Sequence, residues 1–176
     1  MMKTRLGIAT IVLLFVSVIA PLSALELQDF NGQPASIEQY AGKGQWLVVM
    51  IWAHDCRVCN EEASNYDFFH DAYKDKNARV LGISIDGVEK KTLAEQFIAR
   101  HQLGFPNLLG DNRQFMQFFN QISADFASKG WQGMPTPAFL IYNPAGKLVV
   151  QEVGGVPVNL VEAYIKNNSE TVQGEN

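Results

Sequence analysis

Apolar residues run without a break through Trp46-Leu47-Val48-Val49-Met50-Ile51, as expected of a central strand buried on both faces. A second such run, Arg79-Val-Leu-Gly-Ile-Ser-Ile-Asp86, predicts a neighbouring buried strand. Between them, from Cys59 on, Ala63, Tyr66, Phe69 or His70, and Tyr73 recur every three or four residues and predict a helix with one buried stripe. Leu93, Ala94, Phe97 and Ile98 mark a second amphipathic helix ending near Gly104, followed by a short extended piece over Phe105 to Leu109. Phe115, Phe119, Ile122 and Phe126 predict one further helix, closed by Gly130. Ala138 to Tyr142, the turn Asn143-Pro-Ala-Gly146 and Lys147 to Glu152 read as a β-hairpin. Leu160, Val161, Tyr164 and Ile165 predict a last helix, with a polar, fraying tail from Asn167. Near the start, Leu25 to Ile37 reads as two short extended pieces around an Asn31-Gly32 turn. This order predicts an α/β sandwich with a parallel core.

Residues 1–24 stand apart. Lys3 and Arg5 precede a run from Leu6 to Leu25 without a charge, closed by Pro21-Leu22-Ser23-Ala24. That is the form of a signal peptide cleaved after Ala24, or of a retained membrane anchor. Twenty uncharged residues just span a bilayer, but Pro21 and Ser23 shorten the apolar core to about fifteen, which favours cleavage. Either outcome exports the domain. The expected division is 1–24 signal or anchor, 25–168 globular domain, 169–176 polar tail. Without Lys3 and Arg5, 12 basic residues face 18 acidic ones, and a net charge of −6 excludes an electrostatic nucleic-acid role.

Cys56 and Cys59 are the only cysteines in the chain. A domain of this size buries an adequate core without disulfides, and a bridge across three residues is a poor staple, so the pair points to chemistry. At a strand-to-helix junction, Cys56 has the unpaired N–H groups of a helix start to favour its thiolate and is the expected attacker. Cys59, one turn inside, is the expected resolving thiol. A zinc site would need two more ligands, and His54, His70 and His101 show no ligand-like spacing. Glu62 lies on the same helical face as Cys59, placed to take its proton if burial raises the carboxyl pKa; a solvated helix glutamate is the alternative. Around the pair, Arg57 favours a thiolate at Cys56, ionised Asp55 opposes it, and His54 is expected on the exposed rim, with Val58 completing the tuning set. Trp52 is expected beneath the loop and as a substrate contact. Phe115, Phe118, Phe119, Phe126 and Trp131 are expected as core, or as a rim that selects partners.

With Trp52-x-x-x-Cys56-x-x-Cys59, Glu62, and Thr136-Pro137-Ala-Phe-Leu-Ile-Tyr142 before Asn143-Pro-Ala-Gly146, the chain resembles the thioredoxin fold. The resemblance is to its exported TlpA/ResA/CcmG(DsbE)-like branch, over about Leu25 to Lys166. It implies a central mixed sheet flanked by helices, an N-terminal β-hairpin extension, and a cis peptide before Pro137 rather than Pro135. It also implies a backbone at Thr136 that receives a substrate strand, with Trp131 lining the same site. Thioredoxin carries a buried acid on the strand before the motif; the matching residue here is Met50, so the acid–base task falls to Glu62. The chain departs from the family at Asp55, where an aromatic is usual, at Ser64, where proline is usual, and in an insertion over about residues 120–133.

The resemblance further implies a thiol–disulfide oxidoreductase with no cofactor beyond its own disulfide and no metal. Protein disulfides are the implied substrates, apocytochrome c among them, and a membrane thiol carrier of the CcdA or DsbD kind the implied donor. Reduction is the favoured direction, although Thr before the proline also resembles exported oxidases and isomerases. A thiol peroxidase is a second class, but its Thr-x-x-Cys signature is absent because Ala53 stands three before Cys56. A non-catalytic protein-binding domain is a third.

Overall fold

A computed structural model describes residues 25–173, with side chains to residue 169. The expected signal or anchor at residues 1–24 lies outside the described residues. Among those described, no helix is long and apolar enough to cross a membrane.

Seven strands form one mixed sheet in the order β2-β1-β5-β4-β3-β6-β7. They are β1 (Leu27–Gln28), β2 (Pro34–Ala35), β3 (Trp46–Trp52), β4 (Ala78–Ser84), β5 (Asn107–Leu109), β6 (Ala138–Tyr142) and β7 (Leu148–Val153). β3, β4 and β5 are parallel, while β6 and β7 and the β1–β2 hairpin are antiparallel. Helices α1 (Arg57–Tyr73), α2 (Lys91–His101), α3 (Asn112–Ile122), α4 (Ala124–Ser128) and α5 (Val158–Gln173) cover the faces.

The unbroken apolar run of β3 follows from this layering. Trp46, Val48, Met50 and Trp52 pack with Cys59, Ala63, Tyr66 and Phe69 of α1, Phe97 of α2 and Ile165 of α5. Leu47, Val49 and Ile51 point the other way, to Phe115, Phe118, Phe119 and Phe126 of α3 and α4. Alternate residues therefore fill two separate cores, so both faces of β3 are apolar.

Two elements differ from expectation. The single helix predicted over Phe115–Phe126 is broken at Ser123, whose backbone is extended (φ −137°, ψ 109°). Its N–H ends α3 on the Phe119 carbonyl, and its Oγ accepts from the Phe126 N–H to start α4. A serine offering an N-cap outcompetes helix continuation. At the C-terminus, α5 runs to Gln173 through the predicted polar tail. Ser169 anchors it: its Oγ accepts from Trp46 Nε1 at 3.0 Å and donates to the Ile165 carbonyl.

Candidate active site

β3 ends at Trp52, and the Cys56 N–H donates to the Ala53 carbonyl at 3.1 Å, closing the turn Ala53-His54-Asp55-Cys56. Cys56 is extended (φ −73°, ψ 113°) and caps α1, its Sγ accepting from the Cys59 N–H at 3.1 Å. The helix thus starts two residues earlier than the apolar periodicity predicts, which places the outer sulfur among the free N–H groups of the first turn. Cys56 and Cys59 are joined by a disulfide, with Cα atoms 5.2 Å apart. Cys59 is fully buried, whereas Cys56 is part-exposed. Access separates the two sulfurs.

Glu62 lies one turn further along α1 and is part-buried. Burial pushes its carboxyl above the ordinary range; a backbone hydrogen bond at Val156 partly offsets this, and nearby Glu61 adds to it. One oxygen, Oε2, is buried without a hydrogen-bond partner. A buried oxygen of that kind favours the neutral acid and leaves a position at which a proton can be received or given. The lid over Glu62 is the loop after β7. A Cβ on Gly155 would stand 2.7 Å from Glu62 Oε1 and 3.0 Å from Val58 Cγ1, so any larger residue there would push on the Glu62 carboxyl. Tyr66, whose hydroxyl pKa burial pushes up, holds the loop by donating to the Val156 carbonyl at 2.7 Å.

The opposite wall is the Thr136–Pro137 peptide, which is cis. Pro137 is buried, and its carbonyl accepts from the Gly154 N–H at 2.8 Å. The β7–α5 loop is thereby tied to both the proline and Glu62. Thr136, Asp55, Ala53, Met134, Asp86 and Asp111 share a cleft of about 430 Å³ beside the motif.

Other sequence-predicted residues fall differently. Trp52 is fully buried, stacked on Phe97 at 4.2 Å, with Nε1 donating to Asn107 Oδ1. It supports the loop from below and has no surface for a substrate, which corrects its expected substrate-binding role. Arg57 is turned to Glu61 at 2.5 Å, both well exposed, and a solvated pair of this kind is a weak source of charge for Cys56. Asp55 is exposed, while Val58 packs against the glycine loop. Trp131 is 45% exposed and lines a smaller cavity with Phe119, Phe126 and Val153. The four phenylalanines of that stretch are core.

His54 is not on the exposed rim. Its Nδ1–H donates to Asp86 Oδ1 at 2.6 Å and its backbone N–H to Asp86 Oδ2 at 3.0 Å. Ser84 Oγ also donates to Asp86. Sequence reading missed Asp86; the available signal was an acid at the C-terminal end of the strand parallel to the motif strand, the edge where functional groups collect in parallel sheets. It also missed Asn60, whose Nδ2 donates to the His54 and Cys56 carbonyls, and whose Oδ1 accepts from Arg100 and His101. His54, Asp55 and Asp86 each offer a ligand atom within 4.8 Å of one another. His54 Nδ1 and both Asp86 oxygens are already engaged with each other, so the group is arranged as a hydrogen-bonded pair.

Solved structures share this architecture. The thioredoxin domain of a thiol-disulfide oxidoreductase from Bacteroides vulgatus superposes with a TM-score of 0.57 at 22% identity, covering 84% of this chain and 99% of that one. In sequence, the thiol-disulfide oxidoreductase ResA of Bacillus subtilis is 22% identical over 139 residues, 79% of this chain and 69% of ResA. Peroxiredoxin Bcp of the same organism is 27% identical over 128 residues, 71% of this chain and 77% of Bcp. The model of the AhpC/TSA family matches residues 18–151. With its Cys56–Cys59 pair on a thioredoxin fold, the chain belongs to the AhpC/TSA family and is a thiol–disulfide oxidoreductase similar to the ResA proteins.

Proposed function

We propose that the protein is exported and reduces disulfides in specific protein partners. The observation that carries this reading is the pairing of a buried resolving cysteine with a part-buried Glu62 whose Oε2 has no partner. The cycle begins when the Cys56 thiolate attacks one sulfur of the partner's disulfide. That bond breaks, a mixed disulfide forms, and the departing sulfur takes a proton from solvent. Cys59 then passes its proton to Glu62 in its carboxylate form and attacks the Cys56 sulfur. The partner leaves as a thiolate and recovers the proton from Glu62. Two electrons have moved to the partner, and the protein is left with the Cys56–Cys59 disulfide. A partner strand pairs with the Thr136 backbone beside Pro137, at the edge of the cleft.

The resemblance to ResA supports the direction and the compartment, and the N-terminal segment supports export. Apocytochrome c fits as a partner because its thiols must be reduced before haem attachment. A membrane thiol carrier of the CcdA or DsbD kind would return the electrons. Trapping tests the assignment: Cys59→Ala should accumulate partners as mixed disulfides on Cys56, and trapping by Cys56→Ala instead would reverse the roles. A reduction potential near about −120 mV, that of a dedicated disulfide donor, would overturn the reductive direction. Similarity to a peroxiredoxin favours peroxide reduction as the second reading. Rapid peroxide consumption that depends on Cys56 would establish it despite Ala53.

A further inference from the structure

The His54–Asp86 pair has no part in the cycle above, yet His54 lies in the same four-residue turn as Cys56. Two peptide units span at most about 7 Å, so the imidazole backbone cannot lie far from the attacking residue. It is also pinned. The His54 N–H is held by Asp86 Oδ2, its carbonyl by Asn60 Nδ2, and its Nδ1 by Asp86 Oδ1. Asp86 has a side chain only 3% exposed and accepts three hydrogen bonds, those from His54 and that from Ser84 Oγ. A carboxylate only accepts, so it fixes the ring tautomer with the proton on Nδ1. His54 Nε2 then has no partner among the described residues, and the side chain is 20% exposed, open to protons from solvent.

We propose that His54, positioned by Asp86, is the charge that sets the thiolate of Cys56 and makes its reactivity pH-dependent. The surroundings call for such a charge. Asp55 shares the turn, and Asp86, Glu89 and Asp111 line the cleft with one ammonium, Lys90. Arg57 is drawn outward by Glu61, and Arg100 and His101 reach only Asn60. Carboxylates therefore outnumber cations around Cys56 and oppose a thiolate. A protonated His54 reverses the local sign: an imidazolium beside the thiolate favours it, and Asp86 is the counter-ion that holds the imidazolium in place. Asp86 acts through His54 and is a positioning residue.

The inference rests on Cys56 being the attacking thiol, but its tests read the thiol without any partner protein. In reduced protein carrying Cys59→Ala, the rate of alkylation by iodoacetamide across pH reports the Cys56 thiolate. Adding His54→Gln should move the midpoint upward by about one pH unit. Asp86→Asn should move it in the same direction by less, and the two together no further than His54→Gln. An unmoved midpoint in His54→Gln overturns the proposal, as does an upward shift from Asp86→Asn that persists when His54 is already gone. A second measurement needs no variant: ring nitrogen shifts of His54 followed by NMR in oxidised and reduced wild-type protein. The titration midpoint should be higher in the reduced protein, where a thiolate stands beside the ring; equal midpoints overturn the proposal. Failure of Cys59→Ala to trap any partner would sink the reductase reading and leave these thiol measurements intact.

Discussion

Cys56 and Cys59 stand three residues apart in one motif, yet their surroundings are opposites. Cys56 packs against the core on one side and on the other meets polar groups: helix N–H groups, the Asn60 amide, the His54–Asp86 pair and an open acidic cleft. Beneath Cys59 the setting is dry, built from Trp52, Ala63, Tyr66 and Phe139, with one carboxyl oxygen lacking a partner. Each environment suits a different half of the exchange. The outer thiol must ionise in contact with solvent, and a field of charges does that. The inner thiol must lose its proton where little water reaches, and in the proposed cycle Glu62 receives it.

The most direct way to break the comparison is to remove the sulfurs one at a time. Cys56→Ala should lower thiol–disulfide exchange by about 10³-fold or more, to background. Cys59→Ala should keep the first attack and lose release, so single-turnover kinetics with a disulfide reporter separates the two. Next in size is Glu62→Gln, expected to slow resolution by about 10²-fold while leaving the attack by Cys56 unchanged. The same variant should be more stable than the wild type at neutral pH. Because the folded carboxyl sits above its ordinary 4.5, its contribution to stability falls as pH rises through the folded value, and the gap closes below about pH 4.5. Denaturant melts at several pH values check the sign. Gly155→Ala should reproduce part of the kinetic defect, about 10-fold, by pushing on Glu62 Oε1.

Smaller effects test the supports. Tyr66→Phe removes the hydrogen bond to the Val156 carbonyl and should destabilise the fold by about 1 kcal/mol. His70, far from either thiol in role, is buried, and its Nδ1 accepts from the Val80 N–H, so it is held neutral and its pKa is lowered by burial. The unfolded chain then takes up the proton first, and stability is lost as pH falls from about 6.5 through the folded value. His101, also lowered by burial, adds to the same slope. His70→Gln keeps an acceptor for Val80 and should flatten the acid side of the thermal-stability profile.

The sheet strands, the helical stripes and the cysteine pair were legible because each is a local pattern: an apolar run, a recurrence every three or four residues, a spacing of three. Glu62 was legible for the same reason, being one turn from Cys59. The helix break at Ser123 was not, since capping and helix continuation are close in energy and the periodicity of Phe115 to Phe126 masks the choice. Trp52 was placed correctly beneath the loop, but its substrate role was not legible either way, because an aromatic beside a motif looks the same whether it faces a partner or Phe97. Gly155 carries no local signature of a site, and Asp86 only its place at the end of a buried strand. They matter through residues 32 positions and about ninety positions away in the chain.

By itself, then, the sequence determined the order of elements, the redox pair and the direction in which α1 offers its N–H groups, because these depend on neighbours along the chain. Tertiary structure alone decided that β4 delivers Asp86 to His54 and that the β7–α5 loop closes Gly155 over Glu62. Parallel pairing of β3 with β4, in the register Trp52 to Ser84, brings Asp86 to the end of the sheet where the motif begins, and the antiparallel pairings of β6 with β3 and β7 bring the loop of Gly155 there. The charge proposed for one thiol and the proton partner proposed for the other both depend on that meeting point.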